Sequence, residues 1–157
     1  MRYVILHNIR SKYNVGAIFR TADAARVTTL FLTGYTPSPK DRFGRVDQEI
    51  MKTSLGAVET VPYEYVPTVE AVVERLQREG VEIVAVEIAP GSVSLYDYQP
   101  ARDVAYIFGS EVEGVPKSVL EKVDRILEIP MGGMKESLNV SVTAGVVLLH
   151  HPYDVST

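Results

Sequence analysis

Apolar positions along the chain fall into short compact runs, separated by stretches in which they recur at helical spacing. Residues 3–6, 30–33, 81–86, 104–108 and 126–129 are apolar runs of strand length, the third interrupted by Glu82. Residues 59–62 read as one more short strand. Between these runs the period changes. Val15, Ile18, Phe19, Ala22 and Ala25 mark a helix over 14–25, with Asn14 as its cap. Val69, Val72, Val73 and Leu76 mark another over 68–79, which Gly80 stops. Shorter helices fit 47–54 and 116–122, and a last one, built of small and apolar residues, fits 139–149. Residues 34–45 and 90–100, with their prolines and glycines, read as loops. Strands alternating with helices predict an α/β fold, a mostly parallel sheet with helices on both faces. No repeat or composition break divides the chain, so 1–157 reads as a single domain.

Composition excludes several classes. The chain has 157 residues, 46% of them apolar and 23% charged, which is ordinary globular usage. It has no cysteine, so disulfides and thiolate-ligated zinc are ruled out. The apolar start, 3–6, is too short for a signal peptide or a membrane span, and a cytoplasmic protein with no membrane partner is expected. The net charge of −4 argues against a protein that coats nucleic acid indiscriminately. A local basic patch can still coexist with an acidic whole. Arg10, Lys12, Lys40, Arg42, Arg45 and Lys52 are the candidates, with Tyr13 and Phe43 available for stacking; the plain alternative is solvated loop charge. His7 and the His150-His151 pair lack metal-ligand spacing, because adjacent histidines point apart and no carboxylate pattern accompanies them. No metal is expected.

Three segments look unlike scaffold. Asn14-Val15-Gly16-Ala17-Ile18-Phe19-Arg20 puts a glycine in the first turn of a helix and an arginine off its apolar stripe. The strand ending at Phe108 runs into Gly109-Ser110-Glu111-Val112-Glu113-Gly114, a glycine-bracketed loop with carboxylates, at the strand end where open α/β sheets bind ligands. It is not a phosphate-binding P-loop, since no Gly-Lys-Ser or Gly-Lys-Thr follows. The strand ending at Ile129 runs through Pro130-Met131-Gly132-Gly133-Met134-Lys135-Glu136 into Ser137-Leu138-Asn139-Val140-Ser141, where a helix start gathers free amides and polar side chains. Each alone has a plain structural reading: a capped helix, a solvated turn, a helix cap.

Taken together and in this order, the three segments resemble the motifs of the SPOUT methyltransferases, in the branch of tRNA and rRNA ribose 2′-O-methyltransferases typified by TrmH and SpoU. The first looks like that family's Asn-x-Gly-x-x-x-Arg, the second its Phe-Gly-x-Glu-x-x-Gly, the third its Ile-Pro-Met…Ser-Leu-Asn-Val-Ser. The likeness runs from Leu6 to Leu149. It implies a deep trefoil knot in the C-terminal half and a single catalytic domain with no separate RNA-binding extension. It implies S-adenosylmethionine as cofactor, S-adenosylhomocysteine as product, an RNA substrate (tRNA or rRNA) and a homodimer. By resemblance Val86, Gly109, Ile129, Ser137 and Leu138 contact the cofactor, and Arg20, Asn14, Glu111, Ser137 and Asn139 form the catalytic set, with Glu113 second to Glu111. Arg10, Lys12, Arg42, Arg45 and Lys52 are then the RNA contacts. The surplus apolar face of Val142, Val146, Val147, Leu148 and Leu149 suits a partner helix as well as an ordinary core.

Three rivals stand beside this reading. A catalytically silent SPOUT domain would bind RNA or a partner without needing the cofactor. A Rossmann-type nucleotide binder would want Gly-x-Gly-x-x-Gly after the first strand, and residues 9–16 hold no such run. Other SPOUT branches methylate base nitrogens, whereas the arginine of the first motif points to ribose oxygen.

Overall fold

The structure, a computed structural model, describes residues 1–101 and 103–151. Twelve regular elements alternate as the periodicity predicts. The strands are β1 (Arg2–His7), β2 (Thr29–Thr33), β3 (Tyr63–Val66), β4 (Glu82–Val86), β5 (Val93–Ser94), β6 (Val104–Phe108) and β7 (Arg125–Glu128). The helices are α1 (Lys12–Ala24), α2 (Gln48–Ser54), α3 (Val69–Arg78), α4 (Lys117–Leu120) and α5 (Val140–His150).

All strand pairs are parallel, in the order β3-β2-β1-β6-β4-β7-β5. Side chains of a strand alternate between faces. In β1, Val4 and Leu6 join one core with Val15, Ile18 and Phe19 of α1, Ile50 of α2 and Ala144 and Val147 of α5. Tyr3 and Ile5 join the other, with Val69, Val72 and Leu76 of α3 and Val119 of α4. The sheet is thus covered on both faces, which explains why its central strands read as unbroken apolar runs. Among the described residues no helix is long and apolar enough to cross a membrane.

Several boundaries differ from the sequence expectation. Helix α1 begins earlier, because Ser11 and not Asn14 is the cap: the Ser11 hydroxyl accepts from the Asn14 backbone amide at 3.2 Å. The strand expected at 59–62 is displaced. A 3₁₀ turn occupies Ala57–Glu59, and the strand starts only after Pro62, which has no amide to give a ladder. The loop expected at 90–100 contains the short edge strand β5 and a 3₁₀ turn at Leu95–Asp97. Gly16 lies in the second turn of α1, where a Cβ would fall 1.7 Å from Thr53 Oγ1; its service is the close packing of α1 on α2. The rings of His150 and His151, expected to point apart, meet edge to face at 4.6 Å.

Helices α1 and α5 pack against each other. At their far ends Arg2 ties them down: Nη1 donates to the carbonyls of Ala25 at 3.3 Å and Leu148 at 3.0 Å, and Nη2 to that of His151 at 2.6 Å.

Candidate active site

Because every strand runs the same way, the segments following β1, β2, β4, β6 and β7 all emerge on one edge of the sheet. A cleft of about 660 Å³ opens there beyond β4, β6 and β7, within the range of small-molecule sites. Val86, Gly109, Ile129, Ser137 and Leu138, the expected cofactor contacts, all line it, and so do Glu111 and Asn139. Its floor is apolar, from Val86, Phe108, Leu127 and Ile129. Its charged rim is one-signed: Glu87, Glu111, Glu113, Glu128 and Glu136 line it, and no lysine, arginine or histidine is among the lining residues.

The loop after β6 holds its shape by its own bonds. Ser110 Oγ accepts from the amides of Val112 at 3.2 Å and Glu113 at 3.3 Å, and the Gly114 amide donates to the Ser110 carbonyl at 2.8 Å. This folding brings the Gly114–Val115 peptide so close to Gly109 that a Cβ there would lie 2.4 Å from the Gly114 carbonyl carbon. The glycine expected to admit a ligand is required first by the loop itself. Glu87, which the sequence reading passed over, anchors the same loop. Its Oε2 accepts from the Val115 amide at 3.0 Å and its Oε1 from the Ile88 amide at 3.0 Å. Its place one residue beyond a buried parallel strand was the available signal.

The three motifs meet at Asn14. Its side chain is buried at the start of α1. Nδ2 donates to Glu111 Oε1 at 2.9 Å, and Oδ1 accepts from Asn139 Nδ2 at 3.3 Å. Residues 97 and 125 positions away in sequence are thereby joined through one amide. Asn139 also caps α5: its Oδ1 accepts from the Ser141 amide at 2.9 Å and the Ser141 hydroxyl at 2.6 Å.

Arg20 is not brought into this cleft. It is exposed, about 9 Å along α1 from Asn14 and about 120° around its axis. It shares an outward stripe with Tyr13, Ala17 and Ala24. The expected RNA contacts divide. Lys12 is committed to Asp47, the cap of α2, at 2.7 Å. Arg45 pairs with Asp41 at 2.8 Å. Arg10, Arg42 and Lys52 are exposed, with Arg10 over the Tyr35 ring and Arg42 over that of Phe43. Among the described residues no three histidine or carboxylate side chains converge as a metal site. His7, at the end of β1, is buried with Nδ1 2.9 Å from Thr33 Oγ1. Burial holds its imidazole below the ordinary histidine range, against a smaller upward pull from Glu70 and Glu113.

A parallel α/β sheet carrying an anionic strand-end cleft, with three segments joined by side-chain hydrogen bonds at its rim, defines a small-molecule-binding protein of the α/β class. Residues 1–149 match the model of the SpoU rRNA Methylase family, and the chain belongs to that family. It is 34% identical over 145 residues to the 23S rRNA (guanosine-2′-O-)-methyltransferase RlmB of Neisseria meningitidis serogroup B, an alignment covering 92% of this chain and 55% of that protein. The chain therefore spans about half the length of the curated relatives it matches. The AdoMet-bound rRNA methyltransferase from Sinorhizobium meliloti superposes with a TM-score of 0.83 at 30% identity, over 94% of this chain and 54% of that one. The TrmH/SpoU tRNA modifying enzyme of A. aeolicus gives 0.81 at 27% identity, over 94% and 71%.

Proposed function

We propose that the chain is an S-adenosylmethionine-dependent methyltransferase acting on a ribose 2′-hydroxyl of tRNA or rRNA, working in the cytoplasm as a homodimer. The observation that carries this is the Asn139–Asn14–Glu111 chain of hydrogen bonds at the rim of an anionic strand-end cleft. The cofactor class fits the donor set. A sulfonium is a cation, and five carboxylates without a competing cation favour it. The apolar floor suits an adenine ring, and loop backbone beside Gly109, Ile129 and Leu138 supplies its hydrogen-bond partners. When bound, the cofactor supplies an electrophilic methyl on sulfur.

The protein's own part is positioning and charge. That methyl would be taken by the ribose oxygen as its hydroxyl proton is given up, and the chain's residues would hold the two groups together. Asn14 fixes the Glu111 carboxylate, and Asn139 fixes Asn14, so the cleft rim is set before a ligand arrives. Ser137 offers a hydroxyl on the same rim. A guanidinium stays protonated, so Arg20 works by holding the phosphate next to the reacting ribose and orienting its hydroxyl. As Arg20 stands away from its own chain's cleft, it reaches the reaction from a second copy.

The surface supports that second copy. On α5, Val142, Val146 and Leu149 are 50%, 37% and 53% exposed and follow one another at helical spacing. They lie on the helix packed beside the Tyr13–Ala17–Arg20 stripe of α1. Apolar surface of this extent is what a partner covers. The reading includes the family's trefoil knot, with which the place of β7 between β4 and β5 is compatible.

The test is to incubate the protein with labelled cofactor and tRNA or rRNA, then map positions resistant to alkaline cleavage. Arg20→Ala should leave cofactor affinity nearly unchanged and lower methyl transfer by about a hundredfold or more. Transfer at the wild-type rate would remove Arg20 from the mechanism. A silent binding module would take up no cofactor in a direct titration; intact Asn14, Glu111 and Asn139, bonded to one another, favour the enzyme.

A further inference from the structure

The cleft and the loop after β2 carry opposite charge. The charged residues lining the cleft are all carboxylates, whereas residues 34–46 hold Lys40, Arg42 and Arg45 against a single Asp41. RNA phosphates are repelled by the first and attracted by the second. An RNA whose ribose enters the cleft therefore has to be gripped beside it. The β2 loop stands on the same sheet edge, and β2 lies two strand spacings from β6, about 10 Å, a reach of a few nucleotides.

That loop is folded around Asp41. Its Oδ1 accepts from the amides of Phe43 at 2.8 Å and Arg45 at 2.9 Å, and its Oδ2 from Arg45 Nε at 2.8 Å. The Gly44 amide donates to the Asp41 carbonyl at 3.0 Å, and Lys40 and Val46 close the turn as an antiparallel bridge. The turn's product is an aromatic ring held out in water. Phe43 is 67% exposed, with the guanidinium carbons of Arg42 and Arg45 at 4.8 Å and 5.1 Å from its centre. A second pair, Arg10 over Tyr35 at 5.7 Å, stands at the start of the same loop.

Resting on the methyltransferase reading above, we propose that the Asp41 turn is a stacking platform for an unpaired nucleobase near the methylated ribose. The RNA taken is accordingly a single-stranded loop and not a continuous duplex. Guanidinium and phenyl planes stack on base faces whatever the base, and a paired, stacked base has no free face to give. The N–H edge of Arg42, and the Nη groups of Arg45 beyond its Nε bond to Asp41, remain for flanking phosphates.

The experiment compares wild type, Phe43→Ala, Phe43→Tyr and Arg42→Gln for binding to an RNA hairpin with an unpaired loop and to a duplex of the same composition, across salt concentrations. Calorimetric cofactor binding serves as the control on folding. Phe43→Ala should weaken hairpin binding about tenfold, with duplex binding and the salt slope unchanged. Phe43→Tyr should restore it, and Arg42→Gln should lower the salt slope by about one. A Phe43→Ala protein that binds the hairpin like wild type, or loses hairpin and duplex equally, overturns the platform. If wild type methylates RNA while Phe43→Ala matches it, the platform alone falls. If wild type neither binds cofactor nor methylates any RNA, the functional reading falls and takes the platform with it.

Discussion

Asn139 carries two duties on one amide, and they can be pulled apart. Its oxygen caps α5 while its nitrogen donates to Asn14. Asn139→Ala removes both and should cost about 1 kcal/mol of stability along with activity. Asn139→Asp keeps the capping oxygen and loses the donor, so chemical denaturation should show near-wild-type stability while methyl transfer falls; activity equal to wild type would show that the Asn14 bond is idle. His7 gives a second reading at this scale. Burial depresses its pKa, so the unfolded chain binds the proton first as pH drops through about 6.5. This contribution to stability is complete above that pH and is lost below it. His7→Gln should flatten the fall of Tm between about pH 7 and 5, leaving the part owed to His151, which burial also holds low; an unchanged pH profile would exonerate His7. Asn14, Glu111 and Asn139 were legible because residue type and order sufficed. Glu87 was harder to pick out, since its place after a buried strand marks the cleft edge but not the Val115 amide it accepts from. The Lys12–Asp47 pair was not legible, since its two members lie 35 residues apart in sequence and meet only when the cap of α2 is folded.

Among the elements, the helices were the more readable. The α3 stripe of Val69, Val72, Val73 and Leu76 is buried as its spacing demands, and β6 has the bounds its apolar run prescribes. Boundaries failed where two capping residues compete, as with Ser11 and Asn14, and where Pro62 forbids a ladder bond. Helix α5 posed a different problem. It is apolar nearly all round, so periodicity could not separate the face that packs on α1 from the face left outside. The structure separates them: Val140, Ala144, Val147 and Leu148 are buried, while Val142, Val146 and Leu149 face outward. Val146→Glu puts a charge in that outer face without disturbing the core. If the proposed dimer uses this face, sedimentation should show a smaller species than wild type, with helical content retained and methyl transfer reduced. A Val146→Glu protein that remains dimeric would move the interface elsewhere.

At the scale of the whole molecule, the parallel α/β architecture followed from the alternation of strand and helix runs, but strand order did not, because nothing local tells β7 to enter between β4 and β5. Nor did the division of charge, since a net −4 conceals an anionic cleft and a cationic loop on one edge. The Arg2 clasp, finally, has a reach beyond its three carbonyls. It joins α1 to α5 at one end, as Asn14 and Asn139 join them at the other, so the pair is fastened at both ends, with one tip at the cleft and an outer side that the proposed second copy would cover. Whatever seats that pair also steadies the tip. If the proposed dimer forms, diluting the protein below the dissociation constant of that dimer should therefore loosen its hold on the cofactor, and a titration repeated at successively lower protein concentrations would register the change as a rising apparent Kd.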